Sequence, residues 1–403
     1  MTGSPRAPIV IAAGGTGGHF FPAEALAAEL AARGHRLVLM TDGRAGRRTT
    51  GVFADGEQYV LSGAGIAGHG IRRQLGAAAA LGRGTLEARR VLRQLSPAAV
   101  VGFGGYPSVP PLLGARLTPR RQRPVIVLHE GNAVLGQANA QLARFADAIA
   151  TSFPQVSRLP LGANAVLTGM PVRAEIAAAA GSPYPPVDGT FRLLVWGGSL
   201  GARVFSDIVP QTLAALPDTV RARLAVTQQA RAEDVDRVRA AYTAAGIAAE
   251  IAPFFDGVAQ RLAGSHLVIG RAGGSSVAEL AMVGRPSIMV PLPIAASDEQ
   301  TANAASLVDA GGGWMLRQSE FTPAALGALL AELLSQPGRL ALAALAASRL
   351  GRPNAAAALA DLLEARLDAL RRAPEAVIPA GLHASTPTPA VHSQDMQMMD
   401  AVS

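Results

Sequence analysis

Twice along this chain, once in each half, an apolar strand runs into a glycine-rich turn and straight on into an amphipathic helix. Ile9-Val10-Ile11-Ala12-Ala13 leads into Gly14-Gly15-Thr16-Gly17-Gly18-His19, and Leu193-Leu194-Val195-Trp196 leads into Gly197-Gly198-Ser199-Leu200-Gly201. Glycine carries no Cβ, so the N–H groups at the start of such a helix can approach an anionic ligand closely. Two half-sites of this kind predict an α/β fold of two Rossmann-like domains facing an interdomain cleft.

Length agrees, because 403 residues, 49% of them hydrophobic, exceed what one core usually serves. Short apolar runs at Ile9 to Ala13, Arg36 to Thr41, Ala98 to Phe103, Val125 to Glu130 and Ala148 to Thr151 alternate with helical patterns. The alternation restarts at Phe191 to Trp196, Arg223 to Thr227, Leu267 to Gly270 and Ser287 to Pro291. This is the pattern of βαβ units on a parallel sheet. Prolines at 171, 183, 185 and 186 mark a linker. We therefore expect one domain over 1–171, a second over 172–350, a helix over 351–372 that could return to the first domain, and a disordered tail over 373–403.

Composition excludes several classes. There is no cysteine, hence no disulfide or thiolate metal site, and the net charge of +7 comes entirely from arginine, since lysine is absent. A basic surface attracts phosphates and anionic membranes. With aromatics at 4% and no stacking motif, nucleic acid is not an expected partner. No run of eighteen apolar residues suggests a spanning helix, and the N-terminus meets a strand too early for a signal peptide, so a cytoplasmic location is expected.

The first loop has Phe20 where the third glycine of G-x-G-x-x-G belongs, which weighs against a nicotinamide site. His19, directly after the glycines, is placed at a helix start facing the cleft, either as a general base or as a residue that orders the loop. A third turn, Gly270 to Leu280, carries Ser275 and Ser276, which could cap the helix or bind phosphate, and Glu279, which could hold a ribose diol or pair with the helix dipole. The one Asp-x-Asp, Asp234-Val235-Asp236, reads as a solvated helix face, so no metal is expected. Diphosphate charge then falls to helix N-termini and to Arg173 and Arg271. His129-Glu130-Gly131-Asn132 lacks the second histidine of a zinc motif and is expected to line the cleft.

Taken in order, the Gly14 to His19 loop, Gly104-Gly105-Tyr106-Pro107-Ser108, His129 to Asn132, Gly169-Met170-Pro171-Val172-Arg173, Gly197 to Ala202, Arg271 to Glu279, and Pro291-Leu292-Pro293 with Asp298 to Ala304 resemble the MurG family. The likeness runs from about Pro8 to Leu370. These are UDP-N-acetylglucosamine transferases that convert lipid I to lipid II. The resemblance implies a GT-B fold and, with no obligatory cofactor, inverting transfer to the C4 hydroxyl of the muramoyl sugar. It implies donor contacts at Thr16, Gly17, Gly18, Asn132, Arg173, Ser199, Phe255 (through its backbone), Gly274, Ser275, Ser276, Val277, Ala278, Glu279 and Gln300. Gly104, Gly105, Tyr106, His129 and Glu130 fall on the acceptor side, with His19 catalytic. Gly131 and Leu200 stand where glutamine is common, Met170 where asparagine is, and Ile294 and Glu299 where histidine or glutamine often occur. Other readings of the same fold are transfer to a diacylglycerol or natural-product aglycone, nucleotide-sugar epimerisation, and UDP-sugar sensing without catalysis.

Such an enzyme works peripherally on the cytoplasmic face of the bacterial inner membrane, where cell-wall synthesis proteins are possible partners. In the segment from Gly65 to Arg93, Ile66, Ile71, Leu75, Leu81 and Leu86 are interleaved with Arg72, Arg73, Arg83, Arg89, Arg90 and Arg93. That mixture suits an anionic membrane surface. It equally suits a helix whose apolar stripe faces the domain core.

Overall fold

Two parallel sheets form, one from each half of the chain. The computed structural model describes residues 7–15, 17–62, 71–187, 189–198, 201–293 and 298–372. The first sheet contains β1 (Ile9–Ala12), β2 (Leu37–Asp42), β3 (Glu57–Leu61), β4 (Ala99–Gly102), β5 (Val125–Glu130), β6 (Ala148–Thr151) and β7 (Ala165–Leu167), ordered β3-β2-β1-β4-β5-β6-β7. The second contains β8 (Phe191–Trp196), β9 (Leu224–Gln229), β10 (Ala248–Ala252), β11 (Leu267–Gly270), β12 (Ser287–Met289) and β13 (Gly313–Met315), ordered β10-β9-β8-β11-β12-β13. Every strand pair is parallel. Each sheet starts at its middle and winds outward in both directions, so a crevice opens beyond the strand ends where the order reverses, between β1 and β4 and between β8 and β11.

All nine apolar runs anticipated from the sequence are strands. The strands not anticipated, β3, β7, β10 and β13, are the four sheet edges. Central parallel strands are covered on both faces and read as continuous apolar runs, whereas an edge strand such as Glu57-Gln58-Tyr59-Val60-Leu61 mixes polar and apolar residues and is only partly buried.

Helices cover both faces of the first sheet. On one face, Ile9, Ile11, Leu26 and Leu30 share a core with Leu359 and Leu363 of the last described helix, Ala355–Arg372. Burying each of those two leucines contributes about 1.5–3 kcal/mol. The Arg33–Asp361 ion pair beside them, 2.6 Å long with the aspartate largely exposed, contributes about 0–1 kcal/mol. Apolar packing therefore holds this helix on the first sheet.

The opposite face is covered by the helices Ile71–Leu95 and Gly105–Arg116. The first buries Ala88, Val91 and Leu92 against the sheet. Its outer face, at helical spacing, carries exposed Arg83, Leu86 (62% exposed), Arg90 and Arg93. The core-facing reading of this segment thus holds for Ala88, Val91 and Leu92; the earlier part, 63–70 with Ile66, lies outside the described residues.

Between the sheets the chain attaches to the second half early. Ile176 is buried in that half's core, the Pro183 carbonyl accepts from Arg285 at 3.0 Å, and Tyr184 donates its hydroxyl to the His266 carbonyl at 2.9 Å. The anticipated tail, 373–403, lies outside the described residues.

Candidate functional site

The turns that follow β1, β4 and β5 open toward one crevice, and the segments that follow β11 and β12 meet it from the second half. On the first sheet they enclose a cavity of about 370 Å³ lined by His19, Phe103, Gly104, Gly105, Tyr106, Glu130, Gly131, Asn132 and Asn139, with Glu299 contributed by the second half. The helix Gly17–Ala32 begins at the first turn and places His19 half-buried in this wall. Gly104 and Gly105 have φ of 79° and 68°, and a Cβ on either would lie 3.5–3.7 Å from imidazole atoms of His19. The ring therefore rests on bare backbone. Burial pushes the His19 imidazole below its ordinary 6.5, so it stays neutral and able to accept a proton.

Glu130 at the end of β5 organises the adjoining loop. Its Oε1 accepts from the Asn132 backbone at 2.9 Å and from Asn132 Nδ2 at 3.2 Å, while Oε2 accepts from the Gly136 backbone at 2.9 Å and Asn139 Nδ2 at 2.8 Å. Burial raises its pKa and these four bonds oppose the rise. With both oxygens engaged, Glu130 shapes the wall. His129 differs from expectation: alternation along β5 turns it to the other face, where its ring lies 5.1 Å from that of Phe103 and Nε2 is 3.2 Å from Ser152 Oγ. Complete burial lowers it to about 4. It lies behind the cavity, not in its lining.

On the second sheet the turn after β11 enters the helix Gly274–Val283. Its N-cap is Gly273, so Ser275 and Ser276 are half-buried residues of the first turn beside Val277 and Ala278. Glu279, one turn in, accepts from Arg173 at 3.3 Å; burial raises its pKa and Arg173 opposes that. The Arg173 guanidinium also stands 3.3 Å from Glu175 and 4.9 Å above the ring of Phe21, so it bridges the two halves. Gln300 accepts from the Ala272 and Leu292 backbones at 3.3 and 3.0 Å. Phe255 is buried, 6.3 Å from Trp196, with the Arg261 guanidinium 4.4 Å over its ring.

Two further expectations are corrected. Arg271, expected to meet diphosphate, directs its guanidinium to the Val290 and Pro291 carbonyls and to Gln318 at 2.7 Å, so it braces the turn after β12. Asp234, expected on a solvated face, is buried and bound to Arg237 at 2.6 Å; only Asp236 is exposed. Among the described residues no three His, Asp or Glu side chains converge as a metal group, and no helix is long and apolar enough to cross a membrane.

Known proteins share this arrangement. The glycosyltransferase family 28 N-terminal domain matches residues 9–151 and the family 28 C-terminal domain residues 192–359. A UDP-N-acetylglucosamine--N-acetylmuramyl-(pentapeptide) pyrophosphoryl-undecaprenol N-acetylglucosamine transferase of Gluconobacter oxydans is 64% identical over 360 residues, covering 89% of this chain and 99% of the relative. The enzyme of the same name from Granulibacter bethesdensis is 59% identical, covering 90% and 95%. The crystal structure of Acinetobacter baumannii MurG superposes with a TM-score of 0.72 at 30% identity, over 90% of this chain and all of that one. The chain belongs to the MurG family. It is a family 28 glycosyltransferase with two Rossmann-like domains in the GT-B arrangement.

Of the MurG-like donor residues, Thr16 and Ser199 lie outside the described residues, as do the divergent Leu200 and Ile294. Two other divergent positions touch: a Cβ on Gly131 would lie 2.9 Å from Met170 Cε, so Met170 fills the space beside Gly131. Sequence reasoning missed two amides. Gln229 accepts from the Gly197 backbone at 3.1 Å and donates to the Pro253 carbonyl at 3.1 Å, joining the second glycine turn to the Phe255 turn. Asn303, fully buried, accepts from the Ala133 backbone at 2.8 Å and so ties the two domains together. The available signal was a pair of amides closing a strand that starts apolar (Leu224–Gln229) and an asparagine amid alanines (Ala302 to Ala305).

Proposed function

We propose that this enzyme transfers N-acetylglucosamine from UDP-N-acetylglucosamine to the C4 hydroxyl of the muramoyl sugar of lipid I, forming lipid II with inversion at the anomeric carbon. The acceptor oxygen forms the new bond to the anomeric carbon as the bond to the diphosphate oxygen breaks. The hydroxyl proton passes to His19, and UDP leaves with the bonding electrons. The observation that carries this reading is the neutral imidazole of His19 resting on Gly104 and Gly105 in the cavity wall.

The donor takes the second domain. Backbone N–H groups at Gly17, Gly18 and the Gly274–Ala278 turn, with Arg173, meet the diphosphate charge, so no metal is obligatory. Thr16, Asn132, Ser199, Ser275, Ser276 and Gln300 complete the donor contacts, the Phe255 backbone meets uracil, and Glu279 takes the ribose hydroxyls. The acceptor enters past Gly104, Gly105 and Tyr106, with Glu130 and His129 supporting that wall.

We place the domain boundary at 171/172 and a second crossing at 350/351. Burial of Ile176 in one core and of Leu359 in the other supports this division. The enzyme works peripherally at the cytoplasmic face of the inner membrane, using the outer side of the helix Ile71–Leu95, where Leu86 stands among Arg83, Arg90 and Arg93.

The test incubates purified protein with labelled UDP-N-acetylglucosamine and a soluble lipid I analogue, with and without a chelator. A β-linked disaccharide product at equal rates in both arms supports the proposal. Donor hydrolysis alone, or loss of activity on chelation, overturns it.

A further inference from the structure

We propose that the loop after β2, residues 43–50, binds the carboxylate terminus of the acceptor's peptide, with Arg48 and Arg47 as its contacts. The proposal rests on the transfer reaction above and names the part of the acceptor that this loop reads. The muramyl group in the name of the Gluconobacter oxydans enzyme carries a pentapeptide, and a peptide joined through its amine to a sugar acid ends in a carboxylate. The loop is basic and firmly built. Gln58 on β3 is buried, and its amide holds the loop's end: Oε1 accepts from the Arg48 backbone at 2.8 Å, while Nε2 donates to the carbonyls of Arg48 at 3.0 Å and Phe53 at 2.6 Å. The Arg48 guanidinium carbon lies 3.7 Å from the centre of the Phe20 ring, a cation–π contact, and Phe20 directly follows His19. At the loop's start Asp42 accepts from the Ala45 backbone at 3.1 Å and from Arg44 Nε at 3.0 Å. Arg44 is thereby neutralised, but among the described residues neither Arg47 nor Arg48 has a carboxylate partner.

Sheet order decides which anion reaches this loop. β1, which carries the His19 turn, lies between β2 and β4. The cavity opens on the β4 and β5 side of that turn, and the loop stands on the β2 side. Phe20, under Arg48, and Phe53 belong to the core that the helix Gly17–Ala32 shares with the helix Ala355–Arg372, whereas Ile71–Leu95 and Gly105–Arg116 cover the opposite face of the sheet. An acceptor lying along Gly104 and Gly105, with its lipid end toward the Ile71–Leu95 face and its muramoyl hydroxyl at His19, keeps its diphosphate on one side of His19 and has the loop on the other. The donor's diphosphate is assigned above to the glycine turns and Arg173. The peptide is then the anionic group left for Arg47 and Arg48, and an extended pentapeptide spans at most about 17 Å, ample to pass Phe20. A guanidinium takes a carboxylate through two parallel N–H bonds. Held by Gln58 and Phe20 before the substrate arrives, Arg48 loses little freedom in doing so.

The experiment uses full-length enzyme and three soluble lipid I analogues that share the diphosphate and the muramoyl sugar: one with the pentapeptide, one with its C-terminal carboxylate converted to an amide, and one without peptide. It reads kcat and KM, together with equilibrium binding of each analogue in the absence of donor, for the wild type and for Arg47→Gln with Arg48→Gln. We expect the double variant to bind the pentapeptide analogue roughly tenfold more weakly, with KM raised to match and kcat within about twofold. The wild type should show the same weakening when the acid is exchanged for the amide, and the double variant should no longer tell the two apart. Affinity for the peptide-free analogue should stay within about twofold. An equal loss on the pentapeptide and peptide-free analogues would assign these arginines to the diphosphate or the sugar and overturn the proposal, as would unchanged binding of the pentapeptide analogue. If the wild type bound the analogues but made no disaccharide, the transfer reading would fall, whereas an active wild type that treats acid and amide alike would remove only the role of this loop.

Discussion

The first and third glycine turns begin alike in sequence and end in opposite mechanical states. At Gly15, which is exposed with φ of 79°, a Cβ would meet nothing within 4 Å, and four residues on His19 stands half-buried at a cavity wall. At Gly274 a Cβ would strike the Gly131 carbonyl, the preceding peptide is held by Gln300 and Asn303, and Glu279 is paired with Arg173. The first turn is open at Gly15, whereas the third is closed against the facing domain at Gly274. The difference teaches how one motif can be built for two tasks: on the proposed reading both turns offer N–H groups to the donor diphosphate, but the first leaves room beside His19 for an acceptor while the third is organised beforehand.

Variants at the two turns sharpen that comparison. The largest loss is expected from His19→Ala, roughly 10²- to 10⁴-fold in kcat, measured with saturating donor and soluble acceptor. Because burial lowers the His19 pKa, its neutral form persists below pH 6.5. The acid limb of kcat/KM should therefore fall below that pH in the wild type and vanish in His19→Ala. Gly274→Ala comes next. Its Cβ would force the two domains apart at the Gly131 contact, and about a 10²-fold loss of transfer is expected in the same assay. The smallest effect tests the periphery. Reversing Arg83, Arg90 and Arg93 to glutamate removes about 1 kcal/mol per arginine of attraction to an anionic surface. Binding to anionic vesicles in a flotation assay should drop at least tenfold while activity on a soluble acceptor holds; unchanged vesicle binding would place the membrane face elsewhere.

Much of this was legible in the residues because of how parallel sheets are buried. Central strands such as Ile9–Ala12 and Leu267–Gly270 must be apolar throughout, and the glycine turns after them mark the crevice. Edge strands such as Ala248–Ala252 carry no such constraint and were not visible. His19 and Glu279 were placed by their distance from a glycine turn, which a helix start fixes. The partners of Arg271 were not readable, since its contacts at Val290, Pro291 and Gln318 come from segments distant in sequence. Nor was the direction of His129, where alternation along β5 sets its ring on the side away from Glu130, against Phe103 and Ser152. Asn303 escaped for the same reason as Arg271, because its value lies in bonds to Ala133 and Asn132 across the domain gap.

The division of labour between the turns is tested most directly by calorimetric titration of UDP into His19→Ala and Glu279→Ala side by side with the wild type. The account predicts that His19→Ala binds UDP within several-fold of the wild type while catalysis is lost, and that Glu279→Ala weakens UDP by about tenfold or more, the loss of a charged hydrogen-bond partner. Weakened UDP binding in His19→Ala together with unchanged affinity in Glu279→Ala would contradict it.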